Sequence, residues 1–194
     1  MVYMKAFIRK IIKNINNFIN NLQISMNRVV IGKDSNFNGI FYLKNLGTIS
    51  IGNEFKLTSG ARYNPIGGDV HSKLYCAKGA TLSIGNNVGI SNSAIFVTTS
   101  VNIEDNVMIG GGCKIWDTDF HSINHIDRIQ KGDSNIISKP IIIKKNAFIG
   151  AGSFILKGAC IGENSVIGAA SVVTKNIPDN EVWAGNPARK IRSI

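Results

Sequence analysis

The sequence predicts an all-β protein: a parallel β-helix whose coils form a triangular prism of about six turns, with an amphipathic α-helix before it and a cap after it. The first observation is a six-residue period over 143–178, which reads IKKNAF, IGAGSF, ILKGAC, IGENSV, IGAASV, VTKNIP. Every hexad begins with an aliphatic residue, and the fifth place of the first five holds only Ala or Ser. Three hexads make one coil of about 18 residues, and stacking coils buries the aliphatic corners in one column.

The second observation is an aliphatic-x-Ile pattern that returns along the chain from Val29 and ends at Ile161. Its second residues are spaced 20, 33, 19, 40 and 18 apart. Since one coil takes about 18 residues, the two large surpluses predict two excursions from a solenoid that spans 29–178. We place them near 63–80 and 122–139, and loops thrown out of a regular scaffold are where binding groups usually sit.

Composition limits the class of protein. The chain has 194 residues, 44% of them hydrophobic, and no apolar run long enough to cross a membrane, so one globular domain is expected. Its three cysteines are odd in number and unpaired in spacing, which argues against a disulfide framework and against a zinc site. We therefore expect a cytoplasmic protein without a bound metal.

Residues 1–28 precede the coils, and within them the spacing predicts a helix over 3–23. Steps of four and three residues form its apolar stripe: Met4, Ile8, Ile11, Ile15, Phe18 and Leu22. One interpretation is a helix packed on a coil or on a sister subunit. The other is a helix on the inner face of a membrane, because six cations precede Asp34, the first acidic residue, in a chain of net charge +10. No nucleic-acid motif accompanies this charge, so nucleic acid is not an expected partner.

The tail 179–194, DNEVWAGNPARKIRSI, departs from the hexads. An open solenoid end would leave strand groups unpaired, so the tail is expected to cap the last coil.

Candidate chemistry concentrates around His121, one of only three histidines. It stands eighteen residues after Ile103, a corner position of the fourth coil, at the start of the second excursion. In the motif WDTDFHS, Asp117 and Asp119 precede it, and a carboxylate that accepts one ring N–H leaves the other nitrogen free as a general base. The alternative is a histidine that only caps a turn.

Together, the hexads, the loop after His121 and the ending VVTKNIPDNEVWAGNPARKIR resemble the left-handed β-helix acyltransferases. This group includes the galactoside, maltose and capsule or O-antigen polysaccharide O-acetyltransferases. The resemblance covers about 29–192 and implies left-handed winding, a homotrimer, acetyl-CoA in a groove between adjacent prisms, and His121 as the base that deprotonates the acceptor hydroxyl for direct transfer.

The resemblance also implies a set of cofactor contacts, which match this chain at Ala151, Ala169, Thr174, Lys175, Arg189 and Arg192. The last three are cations suited to the phosphates of coenzyme A. Asn92 in GISNSA is the nearest counterpart of the sugar-orienting Asn of the galactoside enzymes, although it is out of register. Trp116 is the second candidate substrate contact.

We therefore expect an acetyl-CoA-dependent O-acetyltransferase acting on a sugar of a cell-surface polysaccharide or its precursor. The alternatives are an N-acetyltransferase of an amino sugar or other small amine, and a solenoid that only scaffolds partners. A zinc-dependent carbonic anhydrase shares this prism but needs three histidines on one metal. The positions of His71, His121 and His125 do not suit that arrangement.

Overall fold

The computed structural model describes residues 2–129 and 133–194. Helix α1 spans Val2–Met26, a short 3-10 helix spans Pro65–Gly67, and helix α2 spans His125–Ile129. The strands, in chain order, are β1 (Val30–Ile31), β2 (Asn36–Asn38), β3 (Tyr42–Asn45), β4 (Thr48–Ile51), β5 (Lys56–Thr58), β6 (Lys73–Cys76), β7 (Thr81–Ile84), β8 (Gly89–Ser91), β9 (Ala94–Val97), β10 (Ser100–Ile103), β11 (Met108–Ile109), β12 (Lys114–Trp116), β13 (Ile141–Ile143), β14 (Phe148–Ile149), β15 (Phe154–Leu156), β16 (Cys160–Ile161), β17 (Val166–Ile167), β18 (Val172–Val173), β19 (Glu181–Ala184) and β20 (Arg189–Ser193).

The strands form three parallel faces of one prism. Face A has the order β1-β4-β7-β10-β13-β16, face B begins β2-β5-β8-β11-β14-β17, and face C contains β3-β6-β9-β12-β15-β18. Each strand pairs with the strand one coil later on the same face, so six coils are stacked, as the spacing predicted. The chain passes from A to B to C within each coil, and we call the two corners that border face C the B–C edge and the C–A edge.

The aliphatic residues of the repeat form the core. Ile103 pairs with Ile84 in the coil below and with Ile143 in the coil above, and all three are buried. Small residues of the fifth hexad place, such as Ser153 and Ala159, are equally buried. Each large aliphatic side chain therefore fills the prism interior beside a small residue, which explains why the two types alternate on a fixed period.

Helix α1 covers the first coil with its polar side. The Asn20 side chain is fully buried; it donates to the Gly39 carbonyl oxygen at 2.9 Å and accepts from the Phe41 N–H at 3.4 Å. The predicted apolar stripe faces away from the prism, with Phe18 70% and Ile15 52% exposed. The helix packs on a coil as one interpretation held, but Asn16, Asn20 and Ile24, rather than the stripe, make the contact.

Both excursions are present, with shifted boundaries. The first occupies 59–72, between β5 and β6, rather than 63–80, because Lys73–Cys76 already pairs with Tyr42–Asn45 on face C. The second occupies 117–140, between β12 and β13, and an antiparallel bridge between Thr118 and Ser138 closes its base. Residues 130–132 of this excursion lie outside the described residues.

After β18 the chain adds a hairpin to the end of face B. Strand β19 pairs in parallel with β17, and β20 returns antiparallel to β19. Trp183 on β19 is buried over the last coil. In the described part of the chain, no helix is both long enough and apolar enough to span a membrane.

Candidate active site

His121 lies on the C–A edge of the fourth coil, where the second excursion leaves the prism. Phe120 directly before it has φ of 63°, a left-handed conformation that costs free energy for a bulky residue. The Phe120 ring packs on Phe96 and Trp116 of face C, with centroids 5.0 and 6.0 Å apart. This turn directs the next side chain, His121, away from the face and into solvent, where it is 73% exposed.

The carboxylate that holds His121 is Asp133. Nδ1 of His121 lies 2.5 Å from Oδ2 of Asp133, and the other carboxylate oxygen accepts the Ser122 backbone N–H at 3.0 Å. The Ser122 N–H and the His121 ring both lower the pKa of Asp133. An ionised partner at Nδ1 favours the tautomer in which that nitrogen is protonated, so Nε2 is left as a free acceptor.

Asp117, expected as a candidate orienting carboxylate, is a buried structural acceptor instead. Its oxygens accept the backbone N–H groups of Thr98, Thr99 and Ser100 at 2.7 to 2.9 Å, and both threonine hydroxyls at 2.7 and 2.8 Å. These donors belong to the turn of the coil below. Asp117 therefore ties two coils together at the C–A edge and does not contact His121.

Asp119, the other expected partner, pairs with Lys157. The ammonium of Lys157 lies 2.6 Å from one carboxylate oxygen, and the second oxygen is buried without a hydrogen-bond partner among the described residues. Lys157 follows β15, one coil above, on the same edge. The sequence assignment of Asp117 and Asp119 to His121 is thus corrected: both stabilise the edge, and Asp133 makes the contact.

Sequence reasoning missed Asp133 and Lys157. Asp133 lies in the excursion, where neither a period nor a fixed offset relates it to His121. The one available signal was that the second excursion contains only two carboxylates beyond the DTD motif, Asp127 and Asp133. Lys157 occupies an ordinary hexad position, and nothing in the repeat distinguishes it.

The proposed cofactor residues divide between the two edges of face C. Thr174 and Lys175 follow β18 on the C–A edge, the edge that also carries His121, and both are exposed. The Lys175 ammonium lies over the Trp183 ring, 5.1 Å from its centroid. Arg189 and Arg192 are exposed on β20, and neither forms an ion pair with a carboxylate in the part of the chain that the structure describes.

Ala151 and Ala169 lie on the opposite edge, the B–C edge, in successive coils. Gly150 precedes Ala151, and a Cβ at Gly150 would stand 2.5 Å from the backbone nitrogen of Ala169. The two turns are therefore stacked closely, and only small residues fit there. Ala151 is half-buried and Ala169 is exposed, so only small side chains project from this edge.

The two candidate substrate contacts differ. Asn92 is only 1% exposed, and its amide is fully used: it accepts the Gly60 N–H and donates to the carbonyl oxygens of Asn64 and Gly68. It anchors the first excursion and is closed to a sugar, which corrects the expectation. Trp116 stands on the outer surface of face C, 5.7 Å from the Phe154 ring centroid, and remains accessible.

Neither a reactive thiol nor a metal cluster accompanies this site. Cys113 is fully buried, burial raises the pKa of its thiol, and its Sγ lies 3.2 Å from the Gly150 carbonyl oxygen. Within residues 2–129 and 133–194, no group of three or more His, Cys, Asp or Glu side chains is placed to hold a metal ion. His71 instead bonds the Ile40 carbonyl oxygen in the first excursion.

The chain is similar to known proteins both in sequence and in fold. The bacterial transferase hexapeptide family (six repeats) matches residues 140–175. Protein CapG of Staphylococcus aureus is 41% identical over 113 residues, which cover 58% of this chain and 53% of CapG. The galactoside O-acetyltransferase of Escherichia coli (strain K12) is 40% identical over 126 residues, which cover 64% of this chain and 60% of that enzyme. The chain thus spans little more than half the length of these curated relatives.

Among solved structures, a hexapeptide-repeat-containing acetyltransferase from Vibrio cholerae O1 biovar eltor, in complex with acetyl coenzyme A, is similar over most of the chain. The TM-score is 0.60 at 26% identity, covering 89% of this chain and 74% of that one. The match extends far beyond the residues of the family model. This protein therefore carries the hexapeptide repeat and has the left-handed parallel β-helix fold of the hexapeptide-repeat acetyltransferases.

Proposed function

We propose that this protein is an acetyl-CoA-dependent O-acetyltransferase that acetylates a sugar hydroxyl of a cell-surface polysaccharide or its precursor. The observation that carries the proposal is the His121–Asp133 pair, which shares the C–A edge with Thr174 and Lys175. The 40% identity to a galactoside O-acetyltransferase favours a sugar hydroxyl over an amine as the acceptor.

In the proposed reaction, Nε2 of His121 takes the proton of the acceptor hydroxyl while Nδ1–H donates to Asp133. The hydroxyl oxygen attacks the thioester carbonyl carbon of acetyl-CoA, the carbon–sulfur bond breaks, and the proton passes from His121 to the departing thiolate. The products are the acetyl ester and coenzyme A. No acyl-enzyme is needed, which agrees with the burial of Cys113.

We propose a homotrimer because the donor contacts are divided between two edges. Ala151 and Ala169 lie on the B–C edge, whereas Thr174, Lys175 and His121 lie on the C–A edge. If the C faces of three prisms point toward a common axis, the B–C edge of each protomer lies beside the C–A edge of the next. One groove then holds both halves of the donor site.

The outer surface of face C supports this arrangement. Tyr75 and Phe96 stack with ring centroids 4.4 Å apart, and Trp116 packs edge-on against Phe154. Aromatic side chains are enriched in the cores of subunit interfaces. Sedimentation equilibrium at micromolar concentration is expected to give a trimer, and a monomer would contradict both the assembly and the shared donor site.

The activity itself is tested by coenzyme A release. Purified protein with acetyl-CoA is incubated with a panel of oligosaccharides and amino sugars, and the released thiol is measured. Release that depends on a hydroxyl acceptor, with an ester in the product, is the expected result. Acetylation of amino sugars alone would contradict the assignment as an O-acetyltransferase. Failure to bind acetyl-CoA would contradict the proposal that this protein is an acetyl-CoA-dependent enzyme.

We further propose that α1 attaches the protein to an anionic membrane surface. Its exposed stripe adds Phe7, 64% exposed, and Met26, 74% exposed, to the predicted residues. A second copy is a poor occupant, because two such helices would bring together only cations: no acidic residue precedes Asp34. An anionic membrane provides an apolar layer that buries the stripe and negatively charged headgroups that attract the cations of this helix.

The membrane contact is tested by sedimentation with vesicles. Binding to phosphatidylglycerol vesicles, weaker binding to phosphatidylcholine vesicles, and loss of binding in Phe18→Ser are expected. Asn17→Ser, a change beside Phe18 outside the stripe, is the control and should bind normally. If Phe18→Ser changes the oligomeric state and leaves vesicle binding intact, the stripe is a protein interface instead.

A further inference from the structure

A cavity of about 400 Å³ lies between α1, the first coil and the first excursion. We call it the α1 cavity. Its wall includes the buried ring of Phe37 from β2 and the Tyr63 side chain from the excursion. It is large enough for a small anionic group with part of the molecule that carries it.

Three cations from two separate elements line the α1 cavity. Arg9 and Lys13 belong to α1, and Arg62 belongs to the first excursion. No carboxylate lines the cavity, and none of the three cations is paired with an acidic side chain within residues 2–129 and 133–194. Like charges gathered in one concave space repel each other, and a bound anion would relieve this repulsion.

The elements that carry these cations are fixed to the prism. The Asn16 amide donates to the Tyr63 hydroxyl at 3.1 Å, which joins helix to excursion, and buried Asn20 holds the helix to Gly39. The excursion is fastened in turn by Asn92 through its three backbone contacts. These contacts hold the backbones that carry the three cations in place, which lowers the conformational freedom lost when an anion binds.

The orientation of α1 explains why unpaired cations line this cavity. The helix turns its apolar stripe outward, and the side that faces the prism carries buried Asn16, Asn20 and Ile24. Arg9 and Lys13 lie at the border of that side and line the cavity. Hydrogen bonds by Asn16 and Asn20 account for the asparagines but leave the cations without partners. We propose that the α1 cavity binds a phosphate or diphosphate group, held by Arg9, Lys13 and Arg62.

This site is separate from the donor site. The cavity lies at the first coil, whereas Lys175, Arg189 and Arg192 follow the sixth. Five coil spacings of about 4.8 Å put roughly 24 Å between the two levels of the prism. The phosphates of one acetyl-CoA molecule bound at the sixth coil therefore do not account for the cations of the first.

An adjoining cavity of about 310 Å³ shares Arg62 and Tyr63 and extends to His71 on the B–C edge. Asp69 also lines it, so its far end is less positive. In the proposed trimer this edge faces the partner subunit's His121. The assignment of the ligand as a phosphate-linked acceptor, a glycosyl phosphate or diphosphate, rests on the proposed function; the anion site does not.

Calorimetry with inorganic pyrophosphate tests the anion site without any turnover. Saturable binding to the full-length protein is expected, and Lys13→Ala and Arg62→Ala should each weaken it about tenfold, since each removes a charge-assisted contact. Lys33→Ala removes an exposed cation outside the cavity and should bind pyrophosphate as wild type does. Circular dichroism confirms that each variant is folded.

Three results would overturn the site. The first is that pyrophosphate shows no saturable binding, and the second is that Lys33→Ala weakens its binding as much as Lys13→Ala does. The third is that Lys175→Ala weakens pyrophosphate binding while Lys13→Ala binds normally, which would place the anion at the donor site. Vesicle sedimentation separates a soluble phosphate ester from a lipid headgroup. Arg62→Ala should bind pyrophosphate about tenfold more weakly and still bind phosphatidylglycerol vesicles. Weaker binding of both pyrophosphate and vesicles would identify a headgroup site instead.

Discussion

Nδ1 of His121 and Oδ2 of Asp133 are 2.5 Å apart, although Asp133 lies twelve positions after His121 in the chain. The contact fixes one ring nitrogen and leaves the other toward solvent on the C–A edge. It also ties the beginning of the excursion to its returning half, so that the geometry of the base depends on the folding of the loop.

His121→Ala is expected to lower kcat by about 100- to 10,000-fold, because a sugar hydroxyl is a weak nucleophile without a base. Acetyl-CoA binding and melting temperature should change little, since the side chain is 73% exposed. Initial-rate kinetics and calorimetry provide the measurement. His125→Ala, an exposed change at the start of α2, is the matched control, and an inactive control beside an active His121→Ala would refute the site.

Asp133→Asn should lower kcat at least about tenfold while leaving KM for acetyl-CoA unchanged, because the amide no longer favours the protonated Nδ1. Asp127→Asn, in the same excursion, makes no contact with His121 and is the control. A purely structural role would lower the melting temperature of Asp133→Asn without altering the pH profile of kcat. A changed profile distinguishes orientation of the base from loop stability.

The lowered pKa of Asp133 predicts an acid transition of the excursion. A carboxyl group with a depressed folded-state pKa stabilises its segment fully above the ordinary pKa of Asp, and this stabilisation is lost as the pH falls through the lowered value. Pepsin cleavage within 117–140 should therefore begin at lower pH in the wild type than in Asp133→Asn. Identical cleavage profiles would show that the ion pair does not order the loop.

Asp117→Asn is expected to lower stability by about 3 kcal/mol or more, because an amide nitrogen would face backbone donors in a buried site. For a chain of this size, this corresponds to a fall of roughly 6–12 °C in melting temperature. Differential scanning calorimetry measures it. Asp119→Asn, whose carboxylate contacts one lysine, should cost less, and the opposite order would contradict the assigned roles.

Lys175→Ala and Arg189→Ala should each raise KM for acetyl-CoA about tenfold with little change in kcat. A phosphate contact is remote from the reacting carbonyl, so its loss is felt equally in ground and transition states. Lys190→Ala on the same hairpin removes a cation already paired with Glu181 and serves as the control. A fall in kcat at unchanged KM would show that these residues do not contact acetyl-CoA.

Cys113→Ala should retain activity. The thiol is fully buried, and its raised pKa keeps it protonated, so it has neither the exposure nor the charge of a nucleophile. Single-turnover kinetics with acetyl-CoA alone should show no acyl-enzyme. Loss of activity in a folded Cys113→Ala variant would require a covalent mechanism.

The periodic part of the chain could be predicted closely because the period of a repeat fixes the length and shape of each coil. An aliphatic residue every sixth place and a small residue at the fifth have one compact solution, and the spacings of the aliphatic-x-Ile pattern count the coils directly. The same count located both excursions. The boundary error at 63–80 arose because Lys73–Cys76 lacks a distinctive hexad and was recognisable as a strand only by its partners on face C.

The site could be predicted only where it follows the repeat. Counting from the corner residues predicts the place of His121 on the C–A edge, whereas Thr174 was expected from the resemblance to the acyltransferases alone. Asp117 was assigned to His121 because the two are close in sequence. The assignment was wrong because five donors of residues 98–100 already occupy the oxygens of Asp117. Asn92 failed for a similar reason, since its amide is consumed by the first excursion.

The sequence by itself determined the prism, its six coils, the places where loops leave it and the histidine at a corner of the fourth coil, because each depends on local period and side-chain size. Tertiary structure decided which carboxylate holds His121 and which side of α1 faces the prism. Both are choices among competing partners that are distant in the chain. The stripe of α1 satisfies the helical period whichever way it faces. The hydrogen bonds of Asn16 and Asn20 to the excursion and the first coil, together with the burial of Ile24, select the orientation.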